Sequence, residues 1–132
     1  MVLFEPILTD KAPVPTSGYS QAIRAGNLVV TSGYLGTHPD GSGLVTGGFE
    51  VELRQAIANI QSVLEASGCS LANVIRVNVS LTEVSRFAEM DRIYREYFKA
   101  PYPTRNTIGV KELWGGAQVS LDAWAVIPDG LD

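Results

Sequence analysis

The run Val74–Leu81 alternates without a break: Ile75, Val77, Val79 and Leu81 fall on one side, Arg76, Asn78 and Ser80 on the other. Successive side chains of a strand point to opposite faces, so such a run must lie in a sheet with one covered and one uncovered face. Ala117 to Ile127 repeats the pattern, with Val119, Leu121, Ala123, Ala125 and Ile127 apolar and Gln118, Ser120, Asp122 and Trp124 opposite. Material to cover the apolar face is also present. Leu53, Ala56, Ile57, Ile60, Val63 and Leu64 recur at three- and four-residue spacings, predicting a helix over about 49–66 that Gly68 stops. A second helix is expected from about Glu83 to Phe98, with Thr82 as N-cap and Phe87, Met90, Tyr94 and Phe98 as its buried stripe.

Further strands are expected at Tyr19–Arg24 and Leu28–Tyr34, turning at Gly26-Asn27, and at Thr104–Lys111. Trp114-Gly115-Gly116 suits a tight hairpin into the last strand. At 132 residues and 45 % apolar content the chain fits one domain with a sizeable core, residues 1–132. Two helices on one side of a single sheet give an α+β class. The opposite face is polar but carries an indole; solvation or packing against copies of the same chain both accommodate it.

Several functions are disfavoured at this level. A net charge of −4 and a pI near 4.9 argue against nucleic acid as the main partner, since phosphate binding needs a basic field. No apolar run reaches membrane-spanning length, and the N-terminus lacks a basic-then-apolar leader. The single cysteine, Cys69, precludes an internal disulfide and fits a reducing, cytoplasmic setting. A zinc site or a Ser-His-Asp triad would rest on His38 alone, in a turn-rich loop; no metal or cofactor is expected. The glycines at 33, 36, 47 and 48 read as turn residues, because no Lys-Ser/Thr follows to make a phosphate-binding loop.

Two charged residues stand out. Arg105 follows Pro101 and Pro103 and sits just inside a strand, where rigid backbone presents a planar fork suited to two-point capture of a carboxylate. The simplest alternative is an exposed ion pair. Asp91 shares a helix side with Phe87 and Tyr94, and a carboxylate there needs a partner. It either caps a loop or pairs with an arginine, or it lines a site.

The order and spacing of several short motifs resemble the YjgF/RidA/L-PSP family from about Ala12 to Val126. They are Gly18-Tyr19-Ser20-Gln21-Ala22, Gly26-Asn27, Thr31-Ser32-Gly33, Ala58-Asn59-Ile60, Leu64-Glu65-Ala66-Ser67-Gly68, Arg86-Phe87-Ala88, Tyr94-Arg95-Glu96-Tyr97-Phe98 and Pro103-Thr104-Arg105. The resemblance implies a fold like the Bacillus-type chorismate mutase, a homotrimer with helices outside, and ligand clefts between subunits. It implies hydrolysis of reactive enamines and imines to 2-keto acids and ammonia without a cofactor. Arg105 would hold the substrate carboxylate and, with Ser120, form the catalytic pair. Tyr19, Ser32, Gly33, Tyr34, Asp91, Asn106 and Thr107 would line the site. The chain departs from the family pattern where Ser120 replaces a glutamate proposed to position water. Asp91 also replaces an asparagine, Thr107 a cysteine, and Tyr34 a glutamine. Asp91 or Asp122 is a candidate substitute for the missing acid. Ser120 leaves a second reading open, a non-catalytic trimer that binds 2-keto acids or similar carboxylates. Ribonuclease activity or inhibition of translation, from the family's older annotation, is the weakest reading given the acidic pI. Trp114 and Trp124 are expected at packing or interface positions.

Overall fold

The structure, a computed structural model, describes residues 3–128. Six strands and two helices follow in the order β1 (Glu5–Ile7), β2 (Ala22–Ala25), β3 (Leu28–Thr31), α1 (Phe49–Ala66), β4 (Val74–Leu81), α2 (Phe87–Tyr97), β5 (Thr104–Gly109) and β6 (Val119–Val126). They form one sheet of order β1-β2-β3-β6-β4-β5, antiparallel except for the β4–β5 pair. β3 and β4, joined through α1, would pair directly in a simple β-α-β unit. Here the last strand inserts between them and splits the unit. No helix among the described residues is long and apolar enough to cross a membrane.

The core lies between the helices and one sheet face. Val77, Val79 and Leu81 of β4 and Val119, Leu121, Ala123 and Ala125 of β6 are buried there with Leu53, Ile57, Ile60 and Leu64 of α1 and Met90, Ile93 and Tyr94 of α2. α1 ends as expected: Gly68, at φ +88°, lets the Cys69 N–H reach Leu64 O (2.8 Å) and its own N–H reach Glu65 O (3.2 Å). Arg54 joins the helices, donating to Glu50 on its own helix and to Glu96 and the Tyr97 hydroxyl on α2.

The structure corrects several expectations. The first β-hairpin turns at Gly26-Asn27, but β2 begins only at Ala22, so Tyr19 lies in irregular chain before it; Ser32 likewise follows the end of β3. Thr82 caps nothing: a short 3₁₀ turn, Val84–Arg86, precedes α2, whose N-cap is Arg86. Phe87 is 42 % exposed: it is the first residue of α2 and lies beside the edge strand, its ring centre 5.3 Å from the Arg105 guanidinium. Ile75 is 46 % exposed, since an irregularity between Val74 and Arg76 puts Val74 in the core instead. Trp114-Gly115-Gly116 closes no hairpin, as β5 and β6 lie on either side of β4; a 3₁₀ turn carries the chain across.

Buried polar side chains fix the loops at the end of the sheet. Gln21, fully buried, accepts from Thr9 N (2.7 Å) and donates to Thr9 O and Pro13 O (both 2.9 Å), fastening the segment before β2. Asn59 on α1 donates to Leu35 O and Thr37 O, and Glu52 accepts from both the backbone and side-chain amides of Gln118. Gly36 is a close-approach residue and not a turn residue: a Cβ there would meet the Glu52 carbonyl oxygen at 2.5 Å. Gly36→Ala should therefore lower stability by about 2 kcal/mol or more, as overpacking against unyielding backbone does. Gly18→Ala, with open space around the site, should be near neutral. Equal urea midpoints for the two variants would contradict the packing described.

Candidate active site

Strand parity decides where each candidate side chain goes. Arg105 on β5 is in register with Val77, so it projects on the helix side. There its Nη1 donates to Asp91 Oδ1 at 2.8 Å, and its guanidinium lies 4.7 Å from the Tyr94 ring centre and 5.3 Å from that of Phe87. Arg95 Nε donates to the other Asp91 oxygen at 3.0 Å. Asp91, Tyr94, Arg95, Tyr102, Pro103 and Arg105 line a pocket of about 250 Å³. The Arg105 hydrogen bond, reinforced by both guanidinium charges against a modest desolvation penalty, holds the Asp91 carboxyl below the usual carboxylate range. Burial pushes the Tyr94 phenol up to about 12. The ion-pair reading of Asp91 and Arg105 is thus correct, and the pair also lines a pocket.

Ser120 on β6 is in register with Ser80 and projects on the open face. A second, larger cavity of about 780 Å³ gathers Tyr19, Ser32, Gly33, Tyr34 and Ser120 with Pro13, Leu35 and Trp114. The Ser32 hydroxyl donates to Ser20 O at 2.6 Å, which ties the Tyr19 segment to the end of β3. A Cβ on Gly33 would lie 3.3 Å from Ser120 Oγ, so that residue keeps the approach to Ser120 open. Tyr34 bridges to Leu121 through paired backbone bonds, N to Leu121 O at 2.7 Å and O from Leu121 N at 3.0 Å. Its hydroxyl is buried without a hydrogen-bond partner among the described residues, and burial raises its pKa. None of the residues lining this cavity is acidic.

The expected residues therefore fall into two groups within one chain. Arg105, Asp91 and Thr107 share the helix side of the β5 edge. Tyr19, Ser32, Gly33, Tyr34 and Ser120 share the larger cavity. Arg105 and Ser120 lie on opposite faces with β4 between them, at roughly 14 Å from two strand spacings and a three-residue offset. Asn106 is exposed on the open face, in the row Asn106, Asn78, Asp122. Asp122 accepts from Asn78 Nδ2 at 2.8 Å and lies outside both linings, so it stands in for no acid in either. Asp91, bound by two arginines, is a counter-ion before it is a base.

Sequence reasoning missed Gln21, Asn59 and Glu52, which hold the cavity walls. Their signal was polar residues at positions the surrounding pattern marks as buried. It also missed Tyr102, whose ring faces the Arg95 guanidinium at 5.8 Å. Because the folded-state pKa of Asp91 is depressed, its pairing stabilises the fold above the unfolded carboxylate value of about 3.9 and is lost as pH falls through the folded value. The urea-midpoint gap between wild type and Asp91→Asn should thus be present at neutral pH and shrink in acid below that value. A gap of constant size down to the acid transition would contradict the pairing.

Comparison with known proteins identifies the family. The family model described as Endoribonuclease L-PSP matches residues 9–127. A protein of the mite Dermatophagoides farinae named 2-iminobutanoate/2-iminopropanoate deaminase is 37 % identical over 121 residues, covering 92 % of this chain and 94 % of its own. The human protein of the same name is 35 % identical over 120 residues, covering 91 % and 88 %. The crystal structure of RidA from an Antarctic Psychrobacter superposes with a TM-score of 0.88 at 38 % identity, covering 93 % of this chain and 99 % of that one. With the motifs, the split sheet and a match across nearly its whole length, the chain belongs to the YjgF/RidA/L-PSP family.

Proposed function

We propose that this protein is an imine deaminase that hydrolyses small 2-imino acids, or their enamine tautomers, to 2-keto acids and ammonia. The observation that carries the reading is Arg105. Its guanidinium is stacked near two aromatic rings on a rigid edge strand, and among the described residues its side chain makes one hydrogen bond, to Asp91. Fork donors remain for a ligand carboxylate. The similarity to relatives named as 2-iminobutanoate/2-iminopropanoate deaminases, at 35 to 37 % identity, supports the same chemistry.

Arg105 anchors the carboxylate and so holds the adjacent C=N carbon in one place, converting a chance encounter with water into an oriented one. A protonated imine is already electrophilic. The protein's task is to orient a water and relay a proton. Water adds to the carbon, the carbinolamine collapses, and ammonia leaves with the carbonyl formed. Ser120, Ser32 and Tyr19 supply hydroxyls that hold the attacking water. Since one chain separates these hydroxyls from Arg105, the working site joins Arg105 of one copy to the larger cavity of another in a homotrimer. The open face suits that packing: Trp124, Val30 and Ile23 form an apolar row across adjacent strands that no helix covers.

A second reading has its own observation. No acidic side chain lines the cavity around Ser120, and a serine without an activating base is a weak catalyst. On that reading the trimer binds 2-keto acids without turnover.

The discriminating experiment generates imines in place with an amino-acid oxidase and follows the extra rate of keto-acid release. Wild type should accelerate release, and Arg105→Ala should lose that acceleration by about a hundredfold or more, the scale on which lost positioning acts. Acceleration unchanged in Arg105→Ala would defeat the proposed anchor. Carboxylate binding without acceleration would favour the second reading. Sedimentation equilibrium should return about three times the 14.2 kDa chain mass; a monomer at micromolar concentration would contradict the shared site.

A further inference from the structure

The Arg105 pocket carries an internal anion. Asp91 faces the space that a ligand on Arg105 would occupy, and each of its oxygens accepts one N–H, from Arg105 and Arg95. A carboxylate offers about four lone-pair sites, so acceptor capacity remains. The Tyr94 ring, its centre 4.7 Å from the Arg105 guanidinium, forms an apolar wall of the same pocket.

From these groups we infer that Asp91 makes the pocket a receptor for small zwitterions, Arg105 taking the carboxylate and Asp91 the cationic nitrogen on the adjacent carbon. The inference rests on the reading of Arg105 as the carboxylate anchor and adds what that anchor selects. A ligand that is only anionic, such as a 2-keto acid, must bring its charge beside Asp91 and meet repulsion. A protonated 2-imino acid presents opposite charges to both residues. Discrimination of this kind comes from the repulsive element as much as from the attractive one. The reaction itself changes the sign of the balance. The iminium carboxylate, net neutral, takes up water and yields ammonium and a keto acid of charge −1, so the product is the ligand that Asp91 disfavours. Asp91 thereby promotes release of product without touching the reacting carbon. The pocket volume, about 250 Å³, matches ligands with short side chains.

Titration calorimetry on the intact wild-type protein tests this with three probes. L-Alanine stands in for the iminium zwitterion, pyruvate for the product, and N-acetyl-L-alanine removes the cationic charge while keeping the carboxylate. Alanine should bind about tenfold or more tighter than either of the others, a difference of about 1.4 kcal/mol per tenfold. Asp91→Asn, close in shape and placed at a partly exposed position, should bring the alanine-to-pyruvate ratio to near one or below it. Arg105→Ala should abolish binding of both. Pyruvate binding as tightly as alanine to the wild type overturns the inference while leaving Arg105 as anchor. An unchanged ratio in Asp91→Asn does the same. Alanine binding that survives Arg105→Ala overturns both the inference and the anchor, and so does an absence of binding by all three probes.

Discussion

The period-two alternation of β4 and β6, clamped by α1, governs the rest of the molecule. Val77, Val79 and Leu81 beside Val119, Leu121, Ala123 and Ala125 make a continuous apolar surface that only a helix-covered face can bury. Once it is buried, Asn78, Ser80, Ser120 and Asp122 must occupy the other face, because a one-residue slip would exchange the two sets entirely. The parallel register of β5 then places Arg105 on the covered side. Packing of the core thus determines that the arginine and the serine of one chain never meet.

That separation gives the open face its meaning. A sheet face with an indole, two aliphatic side chains and a row of amides and hydroxyls is mixed in character, and in the proposed trimer another copy of the chain covers it. Arg105 sits on β5, the strand at one edge of the sheet, where in the proposed trimer a neighbouring subunit would approach it. Asp91 pairs with Arg105 beside Tyr94 and Phe87 and, with Arg105 as the proposed carboxylate anchor, adds a negative charge where a purely anionic ligand would lie.

Much of this was legible in the residues. α1 and β4 were delimited at both ends, because an eighteen-residue helical stripe and an eight-residue alternation leave little ambiguity. The motifs around Tyr19, Ser32 and Arg105 identified the family. What escaped was non-local or a matter of a single backbone irregularity. The insertion of β6 between β3 and β4 depends on which strands pair, and alternation carries no record of partners. Ile75 and Phe87 were assigned inward because periodicity assumes an unbroken ladder and a helix that starts at its first polar residue; an irregularity and a 3₁₀ turn broke each assumption. The two groups of site residues read as one because spacing along the chain says nothing about sheet faces two strands apart. Gln21, Asn59 and Glu52 carried a signal, polar residues at positions patterned as buried, but not their partners, which lie in segments remote in sequence.

The most direct test of the shared site is subunit complementation. Arg105→Ala chains and chains carrying Tyr19→Ala with Ser120→Ala are each assembled alone, then unfolded together and refolded as mixed assemblies. Each homo-oligomer should fail to accelerate keto-acid release from imines generated in place. Random mixing in a ring of three should restore about a quarter of the wild-type sites, those pairing an intact arginine with an intact cavity from its neighbour. A mixture no better than either parent would contradict a site built from two chains.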